Sequence, residues 1–205
     1  MRPASALSAD GPANLRDALV CAVDEGALAW AQAGQPVLVV AAGEVHSAAA
    51  VRKAHAYQVH ALSSAPAGPV AWVEEGRLRW AQRLPQQVVV KNAVPLPPLP
   101  WPWVEVVTSH AGARAEGVDA LVAAGVRGLV VAGTGNGTVH AAWLPALQRA
   151  RAAGVPIVRT TRCAEGRIVQ APGQDDAEVV DLPPLKARIS LMLRCMSPSV
   201  PRPSP

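Results

Sequence analysis

The sequence predicts an α/β fold whose second half is a small doubly wound domain, a parallel sheet with helices packed on it. Three observations predict it. Leu129, Val130 and Val131 form a short unbroken apolar run, the pattern of a parallel strand covered on both faces. Gly133, Gly135 and Gly137 follow at once, spaced for a tight turn that brings backbone N–H groups and the Asn136 side chain to the rim of the sheet. Around this centre, apolar runs at 104–108 and 155–158 alternate with helical stretches at 118–124 and from about Trp143, which gives the order β-α-β-α-β.

The elements follow in order. Asp10 is placed to cap a helix that Pro12 opens, and Leu15, Ala18, Leu19 and Ala22 fall at helical spacing as its apolar stripe, with Arg16, Asp17 and Asp24 directed elsewhere. Residues 37–42 read as a buried strand, 43–64 as irregular and polar, and 68–80 as a hairpin turning at Glu75-Gly76. A helix-first opening is unusual for an α/β domain, because a lone amphipathic helix has no sheet to cover. Five prolines between Lys91 and Trp103 exclude a helix or a central strand and place a linker at 91–103. In the second half Gly125 and Gly154 end helices, Pro145 fits only in a first turn, and 166–170 reads as a weaker strand. A final helix at 185–195 presents Ile189, Met192 and Leu193 as its apolar side, and the proline-rich 196–205 reads as a disordered tail.

Composition narrows the function classes. At 205 residues, half of them apolar, the chain can bury a sizeable core. No apolar run is long enough to span a bilayer, and the opening residues do not form a signal peptide. The net charge of +4 comes from scattered arginines with few aromatics, which speaks against nucleic acid as a partner. Cys21, Cys163 and Cys195 are far apart and odd in number, so neither a disulfide framework nor a metal site is indicated. The five histidines form no H-E-x-x-H, and Ser109-His110 are adjacent on a strand and so face opposite ways. The glycine loop is explained as a plain strand-to-helix connection or as a small polar ligand site. It fits a dinucleotide site poorly, having no acidic residue about 20 positions on.

Four segments carry a resemblance. Residues 1–15 read M-R-P-A-S-A-L-S-A-D-G-P-A-N-L, residues 51–56 read V-R-K-A-H-A and run to Gly68-Pro69, residues 133–137 read G-T-G-N-G, and residues 186–188 read K-A-R. In this order they resemble the bacterial-type L-asparaginase and glutaminase amidohydrolases, over Met1 to about Leu193. The resemblance implies the latter part of an asparaginase N-terminal domain at 1–90 and a small flavodoxin-like C-terminal domain at 104–195. It implies hydrolysis of L-asparagine, with variable use of L-glutamine, through an acyl-enzyme on a threonine, with no metal or cofactor. Lys53 then matches the family's proton-relaying lysine, a role that requires burial or neighbouring groups to disfavour the charged amine. Asn136, with Gly135 beside it, matches the substrate-binding loop that reaches a neighbouring subunit's site, which implies a homo-oligomer, a dimer of dimers.

The departures are equally specific. The family's nucleophile lies in a T-G-G-T-I-type turn and its second threonine and aspartate in an H-G-T-D-type segment, and neither motif occurs among the 205 residues. Met1 matches an internal methionine of the family, so the expectation is a chain lacking its leading strands and inactive alone. The other reading is a non-catalytic remnant that folds partly or pairs with a complete relative; a free-standing binding domain for a small amino acid at 133–138 is a third. Asp175, Asp176 and Glu178 are candidates for the family's acidic residue contributed across the interface. The cytoplasm is the favoured compartment, with an upstream export signal left open.

Overall fold

The structure is a computed structural model that describes residues 2–34, 37–83, 99–171, 173 and 178–196. It divides into two compact units, Met1–Val94 and Pro95–Pro205. Most of the proline-rich stretch (91–98) and of the tail (197–205) lies outside the described residues.

The first unit opens with helices α1 (Gly11–Ala22) and α2 (Glu25–Gln32). Strands β1 (Leu38–Ala41), β2 (Glu44–Ser47), β5 (Ala71–Glu74) and β6 (Arg77–Trp80) form an antiparallel sheet in the order β1-β2-β5-β6. The short strands β3 (Arg52–Lys53) and β4 (Leu62–Ser63) form a separate two-stranded ribbon. The β5–β6 hairpin turns at Glu75-Gly76, both with positive φ, as the sequence predicts. Residues 37–42 give a half-buried edge strand rather than a fully buried one. The neighbouring β2 lies in the stretch read as irregular. Its turn, Ala42-Gly43, has φ of 53° and 76°, the geometry of a two-residue hairpin.

Helix α1 is rotated relative to its sequence stripe. Leu15 and Leu19 are 65% and 62% exposed, whereas Asp17 is 5% exposed and Cys21 is buried. Asn14 Oδ1 accepts the Ala42 N–H at 2.8 Å, and Cys21 packs with Trp30, Val45 and Ala71. These contacts turn the stripe outward, so the packed face was not the most apolar one. Asp10 precedes the helix without capping it, because its carboxylate accepts the backbone N–H of Arg2 at 2.8 Å. Asp24 is a true cap, for α2: its Oδ1 accepts the Ala27 N–H, and also the indole N–H of Trp80, which stacks on Trp30.

The second unit is a four-stranded parallel sheet of β7 (Val104–Thr108), β8 (Gly128–Gly133), β9 (Ile157–Thr161) and β10 (Glu178–Val179), ordered as in the sequence. Helices α3 (Ala115–Ala123) and α4 (Leu144–Ala152) join the first three strands and cover one face, where Leu129, Val131 and Ile157 meet Val118, Ala146 and Leu147. Helix α5 (Pro184–Cys195) covers the other face, where Val104, Val130 and Val158 meet Ala187, Leu191 and Met192. The strand Gly128–Gly133 is buried throughout, as its apolar run predicts. Gly128 has a packing reason: a Cβ there would lie 3.0 Å from Leu191 Cδ2, so glycine lets α5 settle on the sheet.

Two expectations are corrected in this unit. The fourth strand is Glu178–Val179, not 166–170, whose Val169 bonds to a side chain instead of a strand ladder. On α5 the buried face is Ala187, Leu191 and Met192, while Ile189 and Leu193 are partly outside it. Arg188 of the K-A-R segment donates through Nε to Val104 O at 2.8 Å, tying the helix to β7.

Leu129→Ala is expected to destabilise the second unit by about 2–5 kcal/mol, because the cavity sits between packed layers. Leu19→Gln on the outward stripe of α1 should change stability by less than about 0.5 kcal/mol. Denaturant midpoints of the two variants check both values.

Candidate functional site

The candidate residues fall in different units. Lys53 belongs to the first, and Gly135 and Asn136 to the second.

The loop after β8 is closed on itself. Thr134 and Thr138 exchange backbone hydrogen bonds at 2.9 and 2.8 Å, which leaves Gly135, Asn136 and Gly137 as the tip. Gly135 and Gly137 have φ of 49° and 77°, left-handed conformations that side-chain-bearing residues rarely hold. A Cβ on Gly133 would lie 2.5 Å from the Gly137 carbonyl carbon, so the loop folds tightly only over a glycine. The Thr161 hydroxyl donates to Gly135 O at 2.6 Å, and the Arg162 N–H to Gly133 O at 2.9 Å, which fixes the loop to β9.

Asn136 does not point into open solvent with its amide free. Its Nδ2 donates to Val169 O at 2.8 Å, and its Oδ1 accepts the Val169 N–H at 2.7 Å. The side chain thereby replaces a backbone partner and holds segment 167–170 beside the loop. One donor hydrogen and one acceptor lone pair of the amide remain for a ligand. The held segment forms a wall of a cleft of about 390 Å³, lined by Arg167, Ile168, Val169, Gln170, Val179, Val180 and Asp181. Arg167 and Asp181 face each other there at 3.9 Å. Sequence reasoning missed this cleft, because it depends on residues 33 positions from Asn136.

A phosphate-binding use of the loop is not supported by its geometry. The Thr134 and Thr138 N–H groups are spent on each other, and a 3₁₀ turn at Ala141–Trp143 stands between the loop and α4.

In the first unit Lys53 lies on β3 opposite Leu62. The ribbon continues with Ala54 N–H donating to Ala61 O at 2.7 Å, and Arg52 Nη1 donates to Ala65 O at 2.5 Å. The Lys53 side chain is exposed, so this unit does not supply the burial that a proton-relaying lysine requires. Asp175 and Asp176 lie outside the described residues. Glu178 begins β10, the edge strand of the sheet. Among the described residues no group of histidine, cysteine and acidic side chains suits a metal ion.

The histidines divide by environment. His55 is exposed and its Nδ1 accepts the N–H groups of Tyr57 and Gln58. Ser109 and His110 do not pair: buried Ser109 accepts the His140 N–H at 2.9 Å, while His110 is exposed. His46, by contrast, is 1% exposed and bonds to the buried Ser64.

Comparison with known proteins fits this arrangement. Residues 1–86 match the family model "Asparaginase, N-terminal", and residues 103–199 match "Glutaminase/Asparaginase C-terminal domain". A probable periplasmic L-asparaginase of Haemophilus influenzae is 32% identical over 94% of this chain and 56% of its own length. A glutaminase-asparaginase of Pseudomonas fluorescens biotype A is 35% identical over 94% of this chain and 54% of its own. The crystal structure of a probable cytoplasmic L-asparaginase from Campylobacter jejuni matches with a TM-score of 0.77 at 28% identity, covering 94% of this chain and 62% of that one. A two-unit α/β chain with an N-terminal and a C-terminal match in succession is of the asparaginase class. It belongs to the bacterial-type L-asparaginase and glutaminase family. The chain spans about half the length of the curated relatives it matches. Among the described residues no helix is long and apolar enough to cross a membrane.

The loop's glycines are unequal. Gly133→Ala, driven into backbone, is expected to cost the second unit about 1–3 kcal/mol. Gly135→Ala meets no atom within 4 Å and should cost only about 1 kcal/mol, for its left-handed backbone. Thermal unfolding of the two variants gives the order.

Proposed function

We propose that this chain serves L-asparaginase-type amide hydrolysis, converting L-asparagine and water to L-aspartate and ammonia. The observation that carries the reading is the succession of both family matches along one chain, with Lys53 inside the first and the G-T-G-N-G loop inside the second. In this chemistry a threonine hydroxyl attacks the side-chain amide carbon and ammonia leaves, taking a proton. Water then attacks the resulting ester and frees the acid. Lys53 is the proton carrier beside the nucleophile. Gly135 and Asn136 present the loop that contacts the substrate, and the amide's remaining donor and acceptor suit an amino acid's charged groups. L-glutamine is the alternative substrate, and relatives with glutaminase-asparaginase in their names support it. No cofactor enters the scheme.

The finer assignments belong to the same reading. The domains run 1–90 and 104–195 about a linker at 91–103, the second of flavodoxin-like type. The assembly is a homo-oligomer, a dimer of dimers in which the loop of one subunit completes the site of another. The cytoplasm is the compartment we favour. The 205-residue polypeptide alone does not turn over, because it contains neither the T-G-G-T-I-type turn nor the H-G-T-D-type segment, and its exposed Lys53 has no nucleophile to serve.

Ammonia release measures this directly. Purified residues 1–205 are expected to release no more from L-asparagine than their Lys53→Ala variant, and excess release would overturn the inactivity. Where the reading frame upstream of the Met1 codon supplies the two threonine motifs, the extended chain should hydrolyse L-asparagine. There Lys53→Ala should lower kcat by about 10²-fold or more, and an unchanged kcat would remove Lys53 from the mechanism.

A further inference from the structure

We propose that His46 is a positioning residue for Lys53: its buried hydrogen bond to Ser64 docks the ribbon that carries the lysine onto the four-stranded sheet. The inference rests on the proton-relaying role given to Lys53, but the docking itself is measurable without it.

The geometry runs from the sheet outward. Val45 faces the core under α1, so its neighbour His46 faces the opposite side of β2. There His46 Nδ1 lies 2.8 Å from Ser64 Oγ, with both residues buried. Ser64 directly follows β4, whose Leu62 pairs with Lys53 and whose Ser63 pairs with Arg52. The bond therefore joins the central part of one sheet to a ribbon of two-residue strands, an element too short to be stable alone. Arg52, bonding to Ala65 O, stiffens the same corner.

The other ring nitrogen explains how the contact responds to acid. Nε2 has no aligned hydrogen-bond partner, and Glu44 Oε2 lies 3.4 Å from it. A proton on Nε2 beside that carboxylate leaves Nδ1 to accept the Ser64 hydroxyl. The charged groups on this face of the sheet are Glu44 on β2, Glu74 on β5, and Arg77 and Arg79 on β6, as their registers place them, and the ribbon docked there carries Arg52 and Lys53. Glu74 and Arg79 are bonded to each other, and Val39, opposite His46 on β1, brings no charge. Burial pushes the His46 imidazole below its ordinary value of 6.5, against a smaller upward pull from Glu44. The folded state thus binds this proton less readily than the unfolded one. The stability it contributes is present above 6.5 and is lost as pH falls below it. A proton on Nδ1 forces the Ser64 hydroxyl to turn from donor to acceptor, and the buried imidazolium carries a desolvation cost that Glu44 only partly offsets. Lifting the short ribbon relieves that cost more cheaply than opening the four-stranded sheet.

Amide exchange on the full chain tests this at two sites. Ala54 N–H, bonded to Ala61 O, reports on the ribbon, and Val73 N–H, bonded to Gly43 O, reports on the sheet. In the unmodified protein, Ala54 protection corrected for intrinsic rate should fall several-fold, up to about tenfold, between about pH 7.5 and 5.5, with Val73 held. Ser64→Ala should expose Ala54 at both pH values. His46→Asn, which keeps an amide near the Nδ1 position but does not titrate, should restore part of the protection and abolish its pH dependence. Unchanged Ala54 protection in Ser64→Ala would overturn the proposal. So would equal loss at Val73, which would make the bond a general support of the unit. If Ser64→Ala unfolds the chain, the pH profile of the unmodified protein decides alone, and a flat profile rejects the inference. If Ala54 behaves as expected while Lys53→Ala leaves turnover intact in the extended chain, docking stands and the catalytic role of Lys53 falls.

Discussion

The second unit depends on the complete burial of one strand. Gly128–Gly133 lies between two other parallel strands, so its side chains serve two cores at once. Leu129 and Val131 join one core and Val130 the other. Neither helix layer can shift without breaking contact with a strand that also anchors the opposite layer. The same strand ends in Gly133, so the position of the loop tip is inherited from the best-packed part of the chain. The hydroxyl of Thr161 and the N–H of Arg162 extend that control from β9. A site on such a loop is preorganised by packing, without stiffness of its own.

The first unit is held differently. Its core is a small cluster around Trp30, Val45, Val70 and Ala71, capped by the Asp24 contacts to α2 and Trp80. Polar contacts take on orienting roles there: Asn14 sets the rotation of α1, and Asp24 seats the indole of Trp80 on the helix start. An element that depends on a few directional bonds is easier to release than one sealed between two apolar layers. The candidate lysine sits on the more releasable kind.

Legibility in the sequence followed these two modes of packing. The run at 129–131, the glycines at 125 and 154 and the Glu75-Gly76 hairpin were readable because local pattern and tertiary role agree at those positions. The orientation of α1 was not, because Asn14 and Cys21 outweighed the larger Leu15 and Leu19. Segment 166–170 read as a strand because it is apolar and extended, yet its partner is a side chain from a distant loop. β3 and β4 had no readable signal, being two residues each. The Lys53 and Asn136 roles came from motif resemblance; composition and spacing alone make Lys53 an ordinary surface residue and leave Asn136 at the sheet rim in either a plain connection or a small polar ligand site. The fold supplies reasons for the glycines around Asn136, but none for the exposure of Lys53.

The pairing of Asn136 with Val169 gives the loop a chemical clock. An amide can both donate to Val169 O and accept from Val169 N–H, whereas a carboxylate can only accept. Asn136 is followed by Gly137, the least hindered neighbour for attack of a backbone nitrogen on a side-chain amide. Ring closure with loss of ammonia, followed by addition of water that opens the imide, would set a carboxylate oxygen against a carbonyl oxygen and unfasten the cleft wall. The amide that shapes the loop is thus also the group whose slow chemical ageing would undo it.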